Sequence, residues 1–146
     1  MDRKEFIKRS CTGVCVALGS GFLMSAFLQA CKTPLGIVKT RSEKDKVTIP
    51  LAEFAQGDYK LVRVANYNYD LAVQKRADGT YLALVLKCTH AAQPLTRTGN
   101  GFYCTLHGSQ FAKTGAVVKG PADKPMIELP VSVSNDAITI KLDTSI

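Results

Sequence analysis

The chain has 146 residues but only two histidines and five cysteines, and each histidine lies close behind a cysteine. Cys88-Thr89-His90 is followed, after thirteen residues, by Cys104-Thr105-Leu106-His107-Gly108. Each segment offers one thiolate and one imidazole, so two loops brought together would present two sulfurs and two nitrogens to a metal centre. Structural zinc is one reading of that donor set, but common zinc frames open with a Cys-x(2-4)-Cys knuckle and close with two histidines. Here the order alternates Cys, His, Cys, His. Alternation suits an iron-sulfur centre in which one iron takes both cysteines and the other both histidines. A zinc-stabilised binding module with no redox chemistry is the lesser alternative.

Strands must position these loops. Lys60-Leu61-Val62-Arg63-Val64 alternates, and Leu71 to Arg76 leads into Ala77-Asp78-Gly79-Thr80, a hairpin signal. Tyr81 to Leu86 is an almost wholly apolar run, predicting a strand buried on both faces that delivers the chain directly to Cys88. Asn100-Gly101 marks a second tight turn, after which Phe102 and Tyr103 lead to Cys104. Ile127 to Val133 predicts a further strand, followed by a turn at Asn135-Asp136 and an alternating strand through Ile138, Ile140 and Leu142. No amphipathic helix is legible after residue 30, so the fold class is all-β.

The two boxes resemble those of the Rieske iron-sulfur proteins. Cys88-Thr89-His90 is similar to the family's first box, Cys104 through Ser109, Gln110 and Phe111 to its second, and Lys119-Gly120-Pro121-Ala122 to the loop that covers the cluster. Weaker similarity runs from about Val47 to Leu142. The resemblance implies an antiparallel β-sandwich with a two-loop cluster-binding subdomain and one 2Fe-2S cluster. It implies Cys88 and Cys104 as ligands of the buried iron, and His90 and His107 as ligands of the outer iron that changes valence. Quinol-oxidising members usually carry a further cysteine in each box, joined as a disulfide beside the cluster. Gln93 and Leu106 stand at those positions, so the resemblance is to a disulfide-free, ferredoxin-like subtype.

The resemblance also bears on potential. Neutral histidines in place of two thiolates ease reduction, and the family spans roughly −150 to +300 mV. Hydrogen bonds to the sulfurs raise the potential further. Ser109 occupies the place of a serine that donates to a bridging sulfide in high-potential members. Phe111 occupies that of a tyrosine that donates to a cysteine sulfur. One donor kept and one lost implies a potential below that of quinol-oxidising subunits.

Upstream, Asp2 to Lys8, with its Arg3-Lys4 pair, resembles a twin-arginine export signal. Cys11 to Ala30 is uncharged for twenty residues, which as a helix would span roughly 30 Å, about a bilayer core. Leu28-Gln29-Ala30-Cys31 resembles a lipoprotein cleavage box, making Cys31 a lipidation site; an uncleaved helix is the other anchor. Residues 1–30 are thus expected to be a leader, 31–46 a lipidated cysteine and polar tether, and 47–146 the cluster domain. The location implied is the extracytoplasmic face of a membrane.

Removing the leader, which holds four basic and two acidic residues, takes the formal charge from +7 to +5. That surplus is spread along the chain without a dense basic stretch, so nucleic acid is not an expected partner. No general base, nucleophile or substrate pocket is legible. The function expected is one-electron transfer to or from an oxidoreductase partner. The alternative is the iron-sulfur subunit of a quinol-oxidising cytochrome complex. An oxygenase catalytic subunit would need a much larger domain with mononuclear iron, and no spare His-His-carboxylate set exists here.

Overall fold

The computed structural model describes residues 36–146; the leader, the Arg3-Lys4 pair and Cys31 lie outside the described residues. Twelve strands and one short 3-10 helix follow one another as β1 (Ile37–Thr40), β2 (Lys46–Pro50), the helix (Leu51–Gln56), β3 (Tyr59–Val64), β4 (Leu71–Lys75), β5 (Tyr81–Val85), β6 (Thr96–Thr98), β7 (Gly101–Tyr103), β8 (Gln110–Ala112), β9 (Val117–Lys119), β10 (Glu128–Leu129), β11 (Val131–Ser134) and β12 (Ala137–Lys141). They form three sheets, in the orders β1-β3-β4-β5-β10, β11-β12-β2 and β6-β7-β8-β9. The fold is all-β, as the alternating patterns predicted.

The five-stranded sheet serves two cores. Along β5, Tyr81, Ala83 and Val85 face the three-stranded sheet and pack with Val47, Ile49, Ile138 and Ile140. Leu82, Leu84 and the following Leu86 point the other way, against Phe102, Phe111 and Met126 of the ligand-bearing part. Strand side chains alternate between faces, so a strand with both faces covered has no place for polar residues, which accounts for the apolar run into Cys88. Each such Leu or Val contributes about 1.5–3 kcal/mol by burial.

Three local outcomes differ from the sequence reading. Ile37–Thr40, inside the expected tether, is a strand paired in parallel with β3, Val38 opposite Val62. Its alternate exposure of Ile37 and Lys39 gives little signal, because only one long-range pairing holds it. Ile127 to Val133 is split at Pro130, which has no N–H to donate to a ladder: β10 joins the five-stranded sheet and β11 the three-stranded one. The second tight turn is Gly99-Asn100, and Gly101 already belongs to β7. Gly101 is required there by close approach, since a Cβ would stand 2.0 Å from the Phe111 carbonyl oxygen.

Candidate metal centre

Both ligand loops leave a strand edge and turn back through the same hydrogen bonds. Cys88 N–H donates to the carbonyl of Gln93 at 2.7 Å, and Ala92 N–H donates back to the Cys88 carbonyl at 2.9 Å. In the second loop Cys104 N–H donates to the Ser109 carbonyl at 2.9 Å, and Gly108 N–H to the Cys104 carbonyl at 3.0 Å. The residue four positions after each cysteine takes positive φ, 52° at Ala92 and 79° at Gly108. Glycine adopts that conformation freely, whereas alanine carries strain. Ala92 is held by its carbonyl, which accepts a 2.7 Å hydrogen bond from the Tyr69 hydroxyl.

The turns sort the four expected ligands into two pairs. Cys88 and Cys104 are buried within the ligand-side core, 1% and 0% exposed. Burial raises the Cys88 thiol, but the backbone N–H groups of Ala91 and His90, with the side chains of Cys104 and Ser109, outweigh it and bring the thiol below its ordinary value. These contacts favour the Cys88 thiolate. His90 and His107 are exposed. Their rings meet edge to face, with centroids 5.2 Å apart. Among the described residues no group of three or more His, Cys, Asp and Glu gathers around a single point. One enclosed pair of thiols and one surface pair of imidazoles are what a two-iron centre with divided ligation needs. The donor set thus fits an iron-sulfur cluster.

The third expected segment closes over these loops. Gly120 and Pro121 are exposed and joined by a cis peptide bond. Behind them Ala122 N–H donates to the Ser109 hydroxyl oxygen at 3.0 Å, in a fully buried contact. The Thr89 hydroxyl donates to the Lys124 carbonyl at 2.7 Å. One tie thus reaches each ligand loop. Ser109 serves twice, accepting from Ala122 and standing among the side chains that lower the Cys88 thiol. Phe111 is buried beside the cysteines in the same core and brings no hydroxyl. Cys88 and Cys104 are free thiols, and Gln93 and Leu106 are both exposed, so the loops are held by hydrogen bonds and packing.

Thr89 and Tyr69 were given no role by sequence reasoning. Thr89 lies between two ligands, which is a usable signal. Tyr69 lies nineteen residues before Cys88 and gives none.

Comparison with known proteins agrees with this geometry. The family model described as the Rieske 2Fe-2S domain matches residues 45–134. The cytochrome b6-f complex iron-sulfur subunit of Synechococcus sp. (strain CC9605) is 31% identical over 154 residues, covering 96% of this chain and 84% of the relative. That of Prochlorococcus marinus (strain MIT 9515) is 31% identical, covering 97% and 85%. The crystal structure of the cyanobacterial plasma membrane Rieske protein PetC3 from Synechocystis PCC 6803 superposes with a TM-score of 0.53 at 26% identity, covering 65% of this chain and 98% of that one.

Proposed function

The chain belongs to the Rieske 2Fe-2S domain family, and from that premise we propose that Cys88 and Cys104 hold one iron, His90 and His107 the other, and that the protein serves a membrane oxidoreductase. It carries a 2Fe-2S cluster and functions in electron transfer. When bound, the cluster supplies a one-electron couple. The observation that carries the ligand assignment is the division of the donors, with both thiols enclosed and both imidazoles at the surface 5.2 Å apart.

Each residue's part follows from its place. The enclosed thiols keep water from the sulfur side. The exposed imidazoles offer a partner a short route to the cluster, and Leu106, 54% exposed beside His107, adds apolar contact surface there. Ser109 fixes the covering loop and places a donor on the sulfur side.

The partner reading rests on the relatives, named as cytochrome b6-f complex iron-sulfur subunits. It makes a quinol-oxidising cytochrome complex the partner class. Gln93, Leu106 and Phe111 favour the second reading, a lower-potential carrier that serves an oxidoreductase without itself oxidising quinol. The sequence of the leader and Cys31 supports a location on the extracytoplasmic face of a membrane for either form, held by lipid or by an N-terminal helix. No helix among the described residues is long and apolar enough to cross one.

Reduction of the full-length protein by quinol in isolated membranes separates the two readings. Quinol-dependent reduction that is lost in His107→Ala supports the complex subunit. Reduction by a protein donor only, with no response to quinol, supports the carrier.

A further inference from the structure

Away from the histidines, a cavity of about 370 Å³ opens where the five-stranded sheet meets β6, β7 and the β8–β9 turn. Its charged lining is Lys75, Arg97 and Lys113 against a single acid, Asp58. Among the described residues the ion pairs are Arg63 with Asp70 and Arg76 with Glu128, so none of the three cations is neutralised by one. A net lining charge of two positive units is matched by one dianion.

The cations are placed as well as gathered. Arg97 lies over the Tyr59 ring, its guanidinium carbon 3.7 Å from the ring centroid. Stacking fixes the plane of the guanidinium and leaves its N–H edge available for a bidentate oxyanion contact. The Gln74 side-chain amide, also in the lining, donates to the Lys113 carbonyl at 2.8 Å and pins the turn that carries Lys113. Tyr59 lines the same cavity, and its hydroxyl is buried without a hydrogen-bond partner, which is rare for a polar group in a folded protein. That hydroxyl lies beneath the surface, so Tyr59 serves the cavity through the ring on which Arg97 rests.

We propose that this cavity binds a dianionic phosphoryl group, gripped by Arg97, Lys113 and Lys75, with the Tyr59 ring holding Arg97 in place. Such a ligand would bridge the base sheet and the ligand-loop sheet across a seam that has no disulfide. Free phosphate and a phosphomonoester lipid headgroup share this chemistry.

The test uses the full-length, cluster-loaded protein. Calorimetric titration with sodium phosphate, at ionic strength held constant with chloride, should give one site per chain. Arg97→Gln and Lys113→Gln should each weaken binding at least fivefold, while Lys141→Gln, the same charge change on β12, should leave it unaltered. Tyr59→Phe keeps the ring under Arg97 and should leave phosphate binding unaltered; Tyr59→Leu removes the ring and should weaken it. Sedimentation with phosphatidic acid vesicles, against phosphatidylcholine vesicles, assigns the source. Retention that Arg97→Gln abolishes identifies the lipid headgroup, and phosphate binding without vesicle retention identifies a soluble phosphate. No binding of either probe above the chloride and phosphatidylcholine controls overturns the proposal, as does an equal loss in Lys141→Gln or unchanged affinity in Arg97→Gln.

Discussion

Ser109→Ala removes one hydroxyl that performs two tasks, and the two can be read separately. Its oxygen accepts the Ala122 N–H at 3.0 Å in a site with no solvent access. Alanine leaves that N–H buried and unpaired, which costs about 1–3 kcal/mol. For a domain of this size the loss lowers the melting temperature by roughly 4–12 °C. The same side chain is among the groups that lower the Cys88 thiol, which points its hydroxyl to the sulfur side. A hydrogen bond to a charged acceptor is worth about 1.5–3 kcal/mol. If about half of that differs between the oxidised and reduced states, its loss lowers the midpoint potential by roughly 30–60 mV, at 59 mV per tenfold for one electron. The control is Thr89→Val, which cuts the other tie of the covering loop, the 2.7 Å bond to the Lys124 carbonyl. It should destabilise the protein while leaving the potential within about 15 mV of wild type. Redox titration and thermal melting of the three proteins decide the matter. An unchanged potential in Ser109→Ala, or an equal fall in Thr89→Val, would refute a sulfur-directed role for Ser109.

Further outcomes follow from the same geometry. Phe111→Tyr, adding a hydroxyl in the core that holds the cysteines, should raise the midpoint by roughly 30–60 mV on the same scale; an unchanged or lower value in a redox titration counts against the reading. Gly101→Ala drives a Cβ to 2.0 Å from the Phe111 carbonyl oxygen, so it should cost about 3 kcal/mol or more and reduce cluster content in the purified protein. The Tyr67 phenol is pushed up to about 12, by burial first and then by Asp143 and Tyr69. A raised pKa gives stability that is complete below pH 10 and is lost as pH climbs toward 12. Denaturant melts across that window should decline for the wild type and flatten for Tyr67→Phe.

How much could be read from the sequence depended on the range of the interaction. Cys88, His90, Cys104 and His107 stood out because rare residue types recurred at short spacing. β5 was legible because burial on both faces leaves only apolar residues between Tyr81 and Leu86. β1 was not, since four residues with two exposed side chains become a strand only through parallel pairing with β3. The break at Pro130 was visible as a residue but not as a change of sheet, which depends on where β5 and β12 stand. The hydroxyls of Tyr69 and Thr89 act on carbonyls twenty-three and thirty-five residues away, distances at which local pattern carries no information. Among these, the Ala92 turn is the most instructive: a strained alanine repeats the geometry of Gly108 because Tyr69 holds its carbonyl.

Electron paramagnetic resonance of the dithionite-reduced protein, with iron, sulfide and zinc analysis of the same sample, tests the divided ligation most directly. The expected result is a rhombic signal characteristic of mixed Cys and His ligation, two irons and two sulfides per chain, and loss of that signal in His90→Ala and His107→Ala. A silent sample containing zinc and no iron, or a spectrum unchanged by both histidine substitutions, would contradict it.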